Sequence, residues 1–478
     1  MENAARVLAS AAALGTVFVA FPAAAQAPGA CEAMEQVVID GADVTSAREI
    51  DTANGLPAYC EVRVTARPAI SIEVRLPLEG WSGKLYQTGC GGFCGILGRA
   101  DSGAGVINAM RPGLEKGYAT ATSDSGHHGL SVVDATFADA NPQGERDWGW
   151  RSIGETNRVA NVLIEAFYAA PASAAYFQGC STGGRMAQRA ALTYPEMFDG
   201  IIAGAPAIDY PGLVGTAFSY FLQANADEDG KQILKPGKEK LIGDEVMAQC
   251  DEVDGTKDGR IADPRQCKVD LSSIACTGEA GDDCLTEAEL EVVAKWRAGP
   301  RNAAGEQLYP GGIPEGSEPF WSLWLTGKPG GAPLMTPFAT SFGQYMAFPT
   351  DPGPTWSPLD FDFEKDPEAI SIMNSVYNAD DPDLSAFIKA GGKMIVYHGW
   401  ADPLVTPYKT VDWFEKASAA AGGQETLEDN VRLFMIPGMD HCGLQPGPGG
   451  ISQANLDLLT PIEAWVEEGK APDGVLKD

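Results

Sequence analysis

The sequence predicts an α/β fold: a parallel sheet covered by helices and interrupted by one large, disulfide-rich insertion. Three observations carry this. Short apolar runs alternate with stretches of helical spacing in both the first and the last third of the chain, the pattern of strand-crossover-strand units. Between residues 206 and 367 that alternation fades, while Pro, Gly, Asp and Trp rise and four Cys cluster. A Gly-flanked turn at Gly179 to Gly183 separates a strand-like run from a helix-like one.

Taken in order, Arg6, an apolar run over 7–21 and Ala23-Ala24-Ala25 read as a signal peptide over residues 1–25. The run is short for a membrane span, and no later stretch reaches about 18 uninterrupted apolar residues. A soluble exported protein, secreted or periplasmic, is therefore expected. The first part of the core, 26–205, has strands at 70–76 and 85–87, then a Gly-rich turn, Gly89-Cys90-Gly91-Gly92-Phe93-Cys94-Gly95. A helix is expected over 153–168, where Val159, Val162, Leu163, Ala166 and Phe167 repeat at helical spacing. A strand at 174–178, a helix over 183–194 stopped by Pro195, and a strand at 200–203 complete a β-turn-α-β unit. The insertion, 206–367, carries Cys250, Cys267, Cys276 and Cys284. The second part of the core, 368–478, resumes with a helix at 383–390, strands at 394–397 and 431–436, and a final helix near 456–468.

Composition limits the function classes. A chain of 478 residues accommodates two to three domains, or one large domain with a big insertion. With 44% hydrophobic and 21% charged residues it is not a disordered, collagenous or coiled-coil protein. Its formal charge of −31 repels phosphate, which argues against nucleic acid and anionic membrane as partners. Most of the carboxylates are expected to be solvated surface. An even count of ten Cys in an exported chain reads as disulfides.

Gly179-Cys180-Ser181-Thr182-Gly183 matches G-x-S-x-G, the nucleophile elbow of the α/β-hydrolase fold. The chain turns so sharply there that large flanking side chains would clash. A serine nucleophile needs a base, and the four His are His127, His128, His398 and His441. In this fold the acid and then the His follow the Ser, on loops after later strands. His441 follows the strand at 431–436, and Asp402 follows the strand at 394–397 through His398-Gly399-Trp400-Ala401. Asp440 is the rival acid, but a chain neighbour rarely points at the same imidazole. His398 is expected to satisfy a local hydrogen bond, and His127-His128 to lie on a loop near the cleft. Ser181, Asp402 and His441 then form a triad, with the oxyanion bound by the N–H of Thr182 and one from the Gly-rich turn, assigned to Gly92.

Cys180 directly precedes Ser181 and Cys442 directly follows His441. A disulfide between them would tie nucleophile and base together. The alternative is that Cys180 is a small buried residue and Cys442 pairs elsewhere. With these residues the chain resembles the tannase and feruloyl esterase family, in Gly179 to Gly184, Phe198 to Pro206, Gly391 to Asp402 and Val431 to Gly443. The resemblance spans essentially the whole mature chain. It implies an α/β-hydrolase with a large lid, hydrolysing small aromatic esters such as feruloyl, hydroxycinnamoyl or galloyl esters.

The same resemblance implies a structural Ca²⁺ in the lid, held by Asp251, Asp254 and Asp258 with the carbonyls of Thr256 and Arg260. Clustered carboxylates in a Gly-punctuated loop suit such an ion, although the spacing is not that of an EF-hand and a solvated acidic loop is the alternative. Proximity, supported by the family pattern, suggests the pairs Cys31 with Cys60, Cys250 with Cys267, and Cys276 with Cys284. Cys90 and Cys94 remain, either paired across the Gly-rich turn or free. The lid aromatics Phe320, Trp321, Trp324, Phe338, Phe342, Tyr345, Phe348 and Trp356 suit a flat acyl group, most of them as lid core. Family members that cleave terephthalate monoesters are expected to hold the free carboxylate with a lid Arg, and no Lys or Arg lies between Lys328 and Lys365. Neutral phenolic esters are the expected substrates. A terephthalate monoester hydrolase and a non-catalytic phenolic-binding protein are the alternatives.

Overall fold

Among the described residues nine strands form one sheet, in the order β1-β2-β3-β5-β4-β6-β7-β8-β9. They are β1 (Ala42–Ile50), β2 (Tyr59–Ala66), β3 (Ile70–Pro77), β4 (Lys84–Thr88), β5 (Ala119–Ser123), β6 (Ala174–Cys180), β7 (Gly200–Gly204), β8 (Lys393–Gly399) and β9 (Val431–Ile436). From β5 to β9 every pairing is parallel, as expected, while β1, β2, β3 and β5 pair antiparallel. The computed structural model describes residues 29–52, 55–97, 109–129, 131–447 and 451–477, so the expected signal peptide lies outside the described residues.

The parallel strands are buried on both faces, and their side chains alternate between two apolar layers. In β8, Met394 and Val396 enter the layer beneath the helices Thr182–Thr193 and Pro407–Ala420. Ile395 and Tyr397 enter the opposite layer, against Leu459, Ile462 and Trp465 of the helix Leu459–Glu468. The helix Ser152–Tyr168 covers the antiparallel end through Val159, Leu163 and Phe167. There, alternate positions of β2 and β3 carry charge, and the buried Glu73 accepts a hydrogen bond from Arg75 at 2.7 Å.

Between β7 and β8 the chain makes a single long crossover that contains the expected lid region, 206–367. It holds the helices Glu239–Cys250, Glu287–Ala298 and Met335–Tyr345. One apolar cluster runs without a break from the sheet into this region, through Phe93, Trp148, Tyr210, Phe342 and Tyr377. The edge-on ring pair Trp148–Tyr210 (4.9 Å) joins the two parts and Tyr210–Phe342 (5.6 Å) carries it on within the inserted region, each contributing about 0.5–1.5 kcal/mol beyond its buried area. The lid thus shares the core of the sheet. Five disulfides, Cys31–Cys60, Cys90–Cys94, Cys180–Cys442, Cys250–Cys267 and Cys276–Cys284, use all ten Cys. That usage fits an oxidising compartment. Among the described residues no helix is long and apolar enough to cross a membrane.

The helix Thr182–Thr193 meets the end of β7 at a glycine: a Cβ on Gly184 would lie 2.2 Å from the Gly204 carbonyl oxygen and 3.0 Å from Pro206 Cα. Both contacts are backbone, so no side chain can move aside. Gly184→Ala is expected to destabilise the protein by about 1–3 kcal/mol, read as a lower Tm in a thermal melt. An unchanged Tm would contradict the close approach.

Candidate active site

Ser181 sits between the last residue of β6 and the first of the helix Thr182–Thr193, with φ 64° and ψ −125°. A positive φ is costly for any residue with a Cβ and persists only where the surroundings enforce it. Here the Ser181 N–H donates to the Gly204 carbonyl at 2.9 Å, and the Ser181 carbonyl accepts from the N–H of Arg185 at 3.0 Å and of Ala207 at 3.3 Å. A Cβ on Gly179 would fall 2.4 Å from the Gly183 carbonyl oxygen, which is why the turn needs glycine there. The first N–H groups of a helix lack intrahelical partners, so the Thr182 N–H is available at the elbow. The Thr182 hydroxyl lies 3.2 Å from the Tyr210 hydroxyl.

Asp402 follows β8 and His441 follows β9, and the structure brings them together: His441 Nδ1 lies 2.7 Å from Asp402 Oδ2. Both side chains are buried. Burial by itself would raise the Asp402 carboxyl, but the adjoining His441 and hydrogen bonds from His398 and His441 hold it down to about 2. It is therefore an anion across the whole working pH range. The rival Asp440 instead accepts from the N–H of Gln445 at 3.2 Å. Burial pushes Asp440 up to about 7, with the Asp402 charge adding to the effect.

The Cys180–Cys442 disulfide, with Cα atoms 6.1 Å apart, brings the Ser181 and His441 segments side by side. The edge of Trp324 meets the His441 ring, centroids 5.5 Å apart and planes at 86°. On the other side the Gly-rich turn packs onto the elbow: a Cβ on Gly89 would meet Gly183 Cα at 2.8 Å. Within that turn the N–H groups of Gly89, Phe93, Cys94 and Gly95 are already donated to backbone carbonyls. Those of Cys90, Gly91 and Gly92 have no backbone partner among the described residues. Gly92 takes φ 57° with Val132 packed against it, and Phe338 meets the neighbouring Phe93 edge-on at 5.5 Å.

His127 stacks on Phe137 with centroids 3.7 Å apart, beside Gly95, and burial pushes it down to about 4. His128 is exposed. His398, expected to make a local hydrogen bond, makes one to Asp402 itself, 3.2 Å from Oδ2. Sequence reasoning missed that link, although a four-residue spacing from a strand end to the acid was its signal. Trp324 against the imidazole was also unassigned.

In the acidic lid loop, Asp251 Oδ1 accepts the N–H groups of Asp258 (3.2 Å), Gly259 (2.8 Å) and Arg260 (3.3 Å). Asp254 accepts the Thr256 N–H at 2.8 Å, and Asp258 pairs with the Arg260 guanidinium at 2.6 Å. Among the described residues no three His, Cys, Asp or Glu converge as a metal would require. As it stands, the loop satisfies its carboxylates with its own donors.

Residues 55–476 match the family described as tannase and feruloyl esterase. A probable feruloyl esterase B-2 of Aspergillus flavus is 30% identical over 448 residues, 91% of this chain and 82% of that protein. The mono(2-hydroxyethyl) terephthalate hydrolase of Piscinibacter sakaiensis is 28% identical over 484 residues, 89% of this chain and 79% of that protein. The crystal structure of feruloyl esterase B from Aspergillus oryzae superposes with a TM-score of 0.80 at 26% identity, covering 94% of this chain and 91% of that one. The structure thus sets a serine at a strained elbow and a buried carboxylate-imidazole pair on segments joined by the Cys180–Cys442 disulfide. By its match and its architecture, the chain belongs to the tannase and feruloyl esterase family of carboxylic ester hydrolases.

Proposed function

We propose that this protein is an exported serine esterase that hydrolyses feruloyl, related hydroxycinnamoyl or galloyl esters through an acyl-enzyme on Ser181. The observation that carries the proposal is the buried Asp402–His441 pair, held beside Ser181 by the Cys180–Cys442 disulfide. With Nδ1–H donated to Asp402, His441 Nε2 carries the lone pair that takes the Ser181 proton as Oγ attacks the ester carbonyl. The N–H groups of Thr182 and Gly92 receive the negative oxygen that forms. Collapse expels the alcohol, which takes its proton from the imidazolium, and water then enters by the same base to release the acid. Asp402, ionised throughout, orients the ring and stabilises its positive form.

The aromatic acyl preference rests on the rings around the elbow, Trp324 against His441 and Phe338 against Phe93, together with the name of the Aspergillus relatives. The relative that acts on mono(2-hydroxyethyl) terephthalate supports a second reading. Residues 329–364 hold no cation to pair with a free acyl carboxylate, which favours neutral phenolic esters. A structural Ca²⁺ on the lid loop is also proposed. It requires the Asp258–Arg260 pair to open so that Asp251, Asp254 and Asp258 can turn toward one ion, and no catalytic step runs through it.

Ser181→Ala is expected to lower hydrolysis of methyl ferulate and methyl gallate by about 10³-fold or more with the Tm unchanged. Retained turnover would overturn the proposal. Mono(2-hydroxyethyl) terephthalate assayed beside these esters separates the two substrate readings: a higher kcat/KM for it would reverse the preference. For the loop, adding Ca²⁺ to chelator-treated protein is expected to raise the Tm, since an ion that binds only the folded state stabilises it. An unchanged melt would remove the ion.

A further inference from the structure

We infer that His398 is a positioning residue for the reaction, a second imidazole that fixes the Asp402 carboxylate against His441. The inference rests on the assignment of Ser181, Asp402 and His441 above. His398 lies at the end of β8 and is fully buried, as are Asp402 and Thr410 of the helix Pro407–Ala420. Its Nε2 stands 2.8 Å from the Val405 carbonyl oxygen and 3.2 Å from Asp402 Oδ2, and its Nδ1 stands 2.9 Å from Thr410 Oγ1. A carbonyl only accepts, so Nε2 carries a hydrogen, and that hydrogen is shared with Asp402.

The consequence for the carboxylate is geometric. Oδ1 accepts the N–H groups of Leu404 at 2.9 Å and Val405 at 3.0 Å, which anchors one oxygen. Rotation about that anchor is stopped by donors on the second oxygen, and Oδ2 has two, His441 Nδ1 and His398 Nε2. His441 must move charge during the reaction; His398 does not touch the substrate and keeps Oδ2 in place throughout. It also disperses part of the Asp402 charge. Without it the bare carboxylate would bind the His441 imidazolium more tightly, and a base more easily protonated needs a higher pH to work. Among the described residues Asp440 and the buried Tyr309 hydroxyl also feel the Asp402 charge.

His398→Leu is expected to lower kcat about tenfold or more with little change in KM, and to move the acid limb of the kcat/KM profile to higher pH. His398→Gln, whose amide N–H replaces the one on Nε2, is expected to recover most of the lost kcat and return the limb toward its original pH. If the Leu variant fails to fold, His398→Asn replaces it, since its shorter amide does not reach Asp402. Equal and unshifted profiles in every variant, or equal losses in Leu and Gln with the limb unmoved, would overturn the positioning role. Ser181→Ala and Asp402→Asn are measured alongside. Activity surviving in them overturns the triad assignment, whereas their inactivation with an unaffected His398→Leu overturns only the role of His398.

Discussion

The disulfide between Cys180 and Cys442 is the constraint on which the site depends. It joins residues 262 apart in sequence, the end of β6 to the loop beyond β9. Those strands are not neighbours, since β7 and β8 lie between them, so no backbone pairing fixes one loop against the other. In the chain-entropy account, closing so long a loop stabilises the fold by about 5 kcal/mol. The local effect matters more to chemistry. The bridge runs between segments where Ser181 has φ 64° and Cys442 has φ 57°, so two strained turns are locked to each other. Such conformations survive where surrounding structure over-determines them, and here each supplies the other's restraint.

Around that bridge the protein treats two neighbouring carboxylates in opposite ways. Asp402 is removed from water but accepts two backbone N–H groups and two imidazoles, and stays an anion. Asp440 is equally hidden from water, has Gln445 as its donor and is pushed up to about 7. The environment rather than the residue type decides which carboxylate stays charged. The lid loop follows the same logic, since Asp251, Asp254 and Asp258 are met there by backbone donors and Arg260.

The parallel half of the sheet was legible because buried strands such as β7 and β8 are short, nearly continuous apolar runs bounded by Gly or by turns. Ser181, Asp402 and His441 were legible as candidates because a glycine spacing marks the elbow and four His leave few bases to choose from. At the antiparallel end only the run at 70–76, which forms β3, was legible. β1 buries only Ala42 and Ala47 fully along nine residues, and β5 reads Ala-Thr-Ala-Thr-Ser, so neither shows an apolar signature. Their strand character comes from pairing with β2 and β3. Nor does sequence spacing show that Phe93, Tyr210 and Phe342 form one core across sheet and lid, because that continuity is set by tertiary packing. His398 was placed in a local hydrogen bond, and only its three contacts reveal that the local partner is the acid of the site.

Whether one disulfide holds His441 against Ser181 is read from the reactivity of Ser181 toward a fluorophosphonate. Peptide mapping places the adduct, and the labelling rate reports how well His441 activates the hydroxyl. Labelling is expected at Ser181 in the wild type, at a rate at least about tenfold higher than in folded Cys180→Ala/Cys442→Ala protein. An adduct on another residue, or the same rate with and without the bridge, would contradict it.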